Sequence, residues 1–99
     1  MLNIKESIQN GTAIFALAGR LDTVTAPELE TKIKNALPGL NKLTLDLANL
    51  DYVSSAGLRV FLSAYKAMKA QGEMKVCNVK EAVMEVFEIT GLSDILTVE

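Results

Sequence analysis

Alternation of apolar and polar side chains opens the chain. Leu2, Ile4 and Ile8 fall on one side, with Glu6 as the exception, which predicts a half-buried strand over Leu2–Ile8 suited to a sheet edge. Asn10-Gly11 is the dipeptide that two-residue hairpin turns favour, because both residues tolerate positive φ. Thr12–Ala18 then reads as the partner strand. Ile14, Ala16 and Ala18 lie on one face and Phe15 and Leu17 on the other, so the expectation is a strand covered on both sides. Gly19–Val24 reads as a loop.

Beyond the loop the period lengthens to that of a helix. Thr25-Ala26-Pro27-Glu28 has the Thr-x-x-Glu form of a capping box, with proline in the first turn where its missing N–H costs little. Leu29, Ile33, Ala36 and Leu37 form one stripe, and Pro38-Gly39 stops the helix. Lys42–Leu47 is a third strand, and Ala48–Val53 reads as a loop leading to Ser54-Ser55. From there Leu58, Phe61, Leu62, Tyr65 and Met68 recur at helical spacing. Val60, Ala64 and Ala67 broaden that apolar surface, and Arg59, Ser63, Lys66 and Lys69 are left facing water. Gln71-Gly72 closes this helix, with lysines in the last turn where the dipole favours them.

Glu73–Asn78 is a fourth strand containing Met74, Val76 and Cys77. Asn78 followed by Glu81 repeats the cap pattern for a third helix with Val79, Ala82, Val83, Val86 and Phe87 as its buried stripe. Gly91 ends it, and Ile95–Val98 is a candidate last strand. A hairpin followed by alternating helix and strand predicts an α/β fold. The expected architecture is a mostly parallel mixed sheet of four or five strands with an N-terminal β-hairpin and three or more helices packed against it. With 99 residues and no linker, low-complexity segment or repeat, the expectation is one domain over residues 1–99.

Composition narrows the chemistry. Trp is absent and aromatics are scarce, so the core falls to Leu, Ile, Val, Ala and Met; Met68, Met74 and Met84 read as packing residues. A net charge of -2 argues against electrostatic binding of nucleic acid. There is no histidine, which removes the commonest general base and metal ligand. Cys77 stands alone, so no internal disulfide or Cys-rich metal site forms, and it reads as an inert core thiol. Neither Gly-x-Ser-x-Gly nor a Walker-type loop is present, so catalysis and nucleotide hydrolysis lack machinery and no cofactor is expected. Met1–Glu6 does not read as a signal peptide, and no apolar run approaches the roughly 20 residues that span a bilayer. The default expectation is a cytoplasmic protein without membrane insertion.

The stretch Ser54-Ser55-Ala56-Gly57-Leu58-Arg59 carries the remaining signal. Either serine can cap the helix it opens, and a helix N-terminus also receives a phosphate well. Gly57 is a poor helix former that lets another molecule approach closely. A hydroxyl able to gain charge beside a bare stretch of helix is a switch candidate. Arg59 either meets an acidic partner or stays solvated.

These residues resemble the Asp-Ser-(Ser/Thr/Ala)-Gly-Leu motif of bacterial anti-sigma factor antagonists, the stand-alone STAS domains. Gly19-Arg20-Leu21-Asp22 resembles that family's Gly-(Glu/Arg)-(Leu/Ile)-Asp turn, followed by a similar Thr-Ala-Pro-x-Leu helix start. Leu45-Asp46-Leu47 and Phe87-Glu88-Ile89-Thr90-Gly91-Leu92 are similar to its central strand and C-terminal helix end. The resemblance implies that Ser55 is the residue phosphorylated by an anti-sigma factor serine kinase and reset by a separate phosphatase of the PP2C type. It implies a partner-binding surface at Asp22, Thr23, Thr25, Ser54, Ser55, Ala56, Gly57, Leu58 and Arg59. Asp22 has a second reading as a turn former, and Thr25 as a cap. The family's acid before the phosphorylated serine is replaced here by Ser54, itself a second candidate acceptor.

The expectation is therefore a binding module, unphosphorylated when it sequesters the kinase and so releases a sigma factor. Small STAS proteins also dock constitutively in ABC lipid-transport complexes and signalling assemblies, and the Ser54 departure keeps that rival in view.

Overall fold

The computed structural model describes residues 1–99 throughout. Its elements are β1 (Leu2–Gln9), β2 (Thr12–Leu21), α1 (Ala26–Ala36), β3 (Lys42–Val53), α2 (Ser55–Lys69), β4 (Glu73–Cys77), α3 (Glu81–Thr90), a 3-10 turn at Leu92–Asp94, and β5 (Thr97–Val98). They build a five-stranded sheet in the order β1-β2-β3-β4-β5. β1 pairs antiparallel with β2 across the Asn10-Gly11 turn, where both residues take positive φ, and every later pair is parallel. Each parallel pair is joined by a helix, as parallel neighbours require. The α/β class, the hairpin and the helix succession match the sequence expectation, and the short C-terminal strand is Thr97–Val98.

The core lies on one face of this sheet. Phe15 and Leu17 of β2, Leu43, Leu45 and Leu47 of β3 and Val76 of β4 are buried there against Leu29, Ile33, Phe61, Met68 and Phe87. Phe61 and Phe87 meet edge to face at 5.9 Å, which couples α2 to α3 and is worth about 0.5–1.5 kcal/mol beyond area burial. The opposite face is not covered. Ile14 is 44% exposed, and Ala16, Ala18 and Cys77 are half-buried. The expectation of a two-sided β2 is thus corrected, and Cys77 sits on the open face rather than in the core.

Two boundaries move for a shared reason. The segment read as a loop over Ala48–Val53 continues β3, and β2 runs on to Leu21. Their pairing passes from Ala16↔Asp46 to Ala18↔Asn49, and from Gly19↔Leu50 to Arg20↔Tyr52, so β3 carries one extra residue at each step. Each bulge resets the side-chain alternation. Leu50 and Val53 point into the core while Ala48, Asn49 and Asp51 face solvent. The strand therefore reads as irregular and polar.

The expected capping boxes do not form. The Thr25 hydroxyl makes no cap bond to α1, and Asn78 adopts φ 56 with its side-chain amide donating to Asp46 Oδ1 at 3.1 Å. Lys80 takes the cap position of α3, and Ala82 is exposed rather than part of the stripe that buries Val83 and Phe87. Gly91 closes α3 in the left-handed conformation at φ 80.

Candidate functional site

The carboxyl ends of β2 and β3 finish side by side, with Leu21 paired to Val53. The Ser54 N–H donates to the Leu21 carbonyl at 2.9 Å, which carries the pairing one residue past β3 and fixes where α2 begins. Ser54 is extended (φ -94, ψ 175), and its Oγ accepts from the Gly57 N–H at 3.4 Å. Ser54 is therefore the cap, and Ser55 is the first residue of the helix. Ser55 is exposed and its hydroxyl makes no hydrogen bond within the chain. Of the two serines, one is committed to the fold and the other is free.

Gly57 is buried, and a Cβ built there would lie 2.7 Å from Leu21 Cγ and 2.9 Å from Val53 Cγ2. The close approach that the glycine allows is made by this chain's own sheet, not by another molecule. Leu58 is also largely buried and Ala56 half-buried, so the outward positions of this turn are Ser55 and Arg59.

The loop after β2 is latched by Asp22. Its Oδ1 accepts from the backbone N–H groups of Val24 and Thr25, each at 3.0 Å, and lies 3.1 Å from the Thr25 hydroxyl. The Asp22 N–H donates in turn to Thr25 Oγ1 at 2.9 Å, and that hydroxyl lies 3.0 Å from the Arg20 carbonyl. The Thr25 backbone N–H, more than any other group, holds the Asp22 carboxyl below the usual carboxylate range; desolvation opposes it. Asp22 and Thr25 thus turn inward to shape the loop, while Thr23 and Val24 face solvent. Val24 is 86% exposed, an apolar side chain at the tip of this end of the molecule.

Arg59 divides two depressions. One, toward α1, contains Thr23, Ala26, Pro27 and Glu30; the other, toward the C-terminal turn, has Leu58, Leu62, Leu92 and Ile95 for its walls and Ser55 at its rim. The sequence reading gave no partner-binding role to Val24 or to the groove residues Leu62, Leu92 and Ile95. Ile95 is 45% exposed and approaches α2 only because β5 returns to β4 beside it. No local motif marks that meeting. On the open face next to β3's end, the Arg20 guanidinium sits 4.2 Å from the Tyr52 ring centroid, a cation–π contact across the strand pair. No group of acids and thiols is arranged to hold a metal ion, and no helix is long and apolar enough to cross a bilayer.

The fold and this helix start define the class. The STAS domain model matches residues 3–99, and the chain belongs to that family. Within it the chain is similar to stand-alone anti-sigma factor antagonists. It is 41% identical over 91 residues to BtrV of Bordetella bronchiseptica, covering 90% of this chain and 78% of BtrV. It is 36% identical over 104 residues to the anti-sigma-B factor antagonist of Listeria monocytogenes, covering 99% of this chain and 87% of the relative. In fold it is similar to the anti-sigma factor antagonist SpoIIAA in its unphosphorylated form, with a TM-score of 0.86 and 20% identity over 98% of this chain and 88% of that one. The Bacillus SpoIIAA in its phosphorylated form superposes with a TM-score of 0.79 at 19% identity, covering 98% of this chain and 91% of that one.

Proposed function

We propose that this chain is a cytoplasmic anti-sigma factor antagonist switched by phosphorylation of Ser55. Unmodified, the surface around the start of α2 binds an anti-sigma factor serine kinase and so releases a sigma factor. Phosphate on Ser55 ends that binding, and a PP2C-type phosphatase restores it. Residues 1–99 act as one STAS unit in this role, without a catalytic site of their own.

The observation that carries the reading is the division of labour between the two serines. Ser54 spends its hydroxyl on the cap, whereas Ser55 presents a free hydroxyl at the first helical position. A kinase can reach Ser55 without opening the helix. A phosphate there adds about -1.5 to -2 charges beside N–H groups and a dipole that favour them, so the domain itself tolerates the change. The effect then falls on a partner pressed against Thr23, Ser55, Ala56 and Arg59, with Asp22, Thr25, Ser54, Gly57 and Leu58 supporting that surface from within. The names of the relatives and the phosphorylated state of SpoIIAA point the same way.

The test is phosphosite mass spectrometry on the protein isolated from its own cells, with Ser55→Ala as control. Phosphate on Ser55 that vanishes in the variant is the expected result. No phosphate at this position across several growth conditions would overturn the switch. That outcome would favour constitutive docking, as in an ABC lipid-transport complex or a signalling assembly, a reading for which the acid-to-Ser54 replacement already speaks.

A further inference from the structure

We infer that phosphate on Ser55 takes Arg59 of the same helix as its ligand, and so removes the one cation from the groove between α2 and the C-terminal turn. The inference rests on the reading of Ser55 as the modified residue and concerns how the modification acts.

Three observations converge on Arg59. Ser55 and Arg59 are four residues apart in α2, the spacing that stacks side chains on one helix face, and both border the same groove. Arg59 is exposed and uncommitted. Five other cations are engaged, with Lys32, Lys42, Lys75 and Lys80 in ion pairs and Arg20 over Tyr52. Arg59, like Lys5, Lys34, Lys66 and Lys69, forms neither an ion pair nor a side-chain hydrogen bond, and of these five it alone lines the groove. The surroundings also leave it free for an anion. α2 contains no acidic residue, and none of the groove's lining residues is acidic; Thr90 there returns its hydroxyl to the Val86 carbonyl at 2.7 Å. Glu30 lines the other depression together with Arg59 but does not pair with it, and neither does Asp94, which adjoins Ile95 in the C-terminal turn.

A guanidinium presents a planar fork of donors that matches a phosphate's oxygens in pairs, which a solvated lysine does not. With the acidic partner in cis, Arg59 swings over the Ser55 end of the groove. The rim then changes from an apolar floor with one free cation to a closed, net anionic edge. A partner that places a carboxylate on Arg59 above Leu58 and Leu62 loses that anchor to the phosphate. Repulsion alone does not have to account for release.

The full chain is prepared with phosphoserine incorporated at position 55, and its phosphate is titrated by phosphorus NMR beside Arg59→Gln, Arg59→Lys and Lys66→Gln versions. A neighbouring cation favours the dianion, so the second phosphate pKa is expected to lie about half a pH unit lower in the parent than in Arg59→Gln, roughly threefold in proton affinity. Arg59→Lys recovers part of that difference, and Lys66→Gln none. The Arg59 Nε–H resonance moves with the same titration. Equal phosphate pKa values in the parent and Arg59→Gln, with an unmoved Nε–H, would overturn the proposal and leave the helix N–H groups as the phosphate's only ligands. Because the phosphate is installed during synthesis, that failure leaves the switch itself standing. A cell that never phosphorylates Ser55 would sink the switch without touching this pairing.

Discussion

Gly57 lies against Leu21 so closely that a single added carbon would stand 2.7 Å from Leu21 Cγ and 2.8 Å from its Cδ2. Leu21 and Val53 are buried at the ends of β2 and β3, so neither can retreat into solvent. Gly57→Ala therefore sets two effects against each other. Helix propensity improves by about 1 kcal/mol. Overpacking costs about 1–3 kcal/mol. The steric effect wins, and a net loss of about 1 kcal/mol is expected as a lower urea midpoint with an unchanged slope. A gain in stability would show that α2 can lift off the sheet.

The two adjacent serines are separable by experiment. Ser54→Ala removes the cap bond to Gly57, and because that bond is long at 3.4 Å the expected cost is at the low end of capping losses, about 0.5–1 kcal/mol. Ser55→Ala touches no hydrogen bond and should stay within about 0.5 kcal/mol of the parent. Paired denaturation curves check both. If Ser55→Ala cost as much as Ser54→Ala, the assignment of the free hydroxyl would be reversed.

How far the sequence reaches is clear from these same residues. Period and turn chemistry were enough for the hairpin, the three helices and their order, since Asn10-Gly11, Pro38-Gly39 and Gly91 act locally. What escaped depends on distant partners. β3 hides its last six residues because two bulges against β2 break the alternation. Thr25 and Asn78 carry cap signatures, but the Asp22 loop and Asp46 claim their side chains instead. Ser54 and Ser55 were legible as a pair, yet only the Ser54–Leu21 hydrogen bond decides which of them caps. The groove beside Arg59 joins α2 to residues more than 30 positions away, and no spacing rule announces such a contact.

Cys77 offers a test of the open sheet face. Desolvation raises its thiol pKa, and the Asp46 carboxylate raises it further. The thiol is half-buried, so it is reachable but poorly ionised. Reaction with a disulfide reagent at mildly alkaline pH is expected to be slower than for a free cysteine. Asp46→Asn keeps an acceptor for the Ala48 N–H while removing the charge, and should speed the reaction about twofold. An unchanged rate in that variant would mean that access, not ionisation, limits the thiol.

The Asp22 latch makes part of the stability depend on pH. Its carboxylate accepts from the N–H groups of Val24 and Thr25, and these bonds favour the ionised form, so its pKa in the fold lies below its value in the unfolded chain. The unfolded chain then binds the proton more readily. The stabilisation is fully present above the unfolded carboxylate pKa of about 3.9 and is lost as pH falls through the lower folded value. Asp22→Asn keeps an oxygen acceptor but has no charge to titrate, so its stability lacks this acid-dependent step. Thermal unfolding of the two chains should show the parent ahead at neutral pH, with the gap closing as the pH drops below the ordinary carboxylate range. A gap that stayed constant down to acid would mean that Asp22 contributes through shape alone, and that its charge is free to meet a partner.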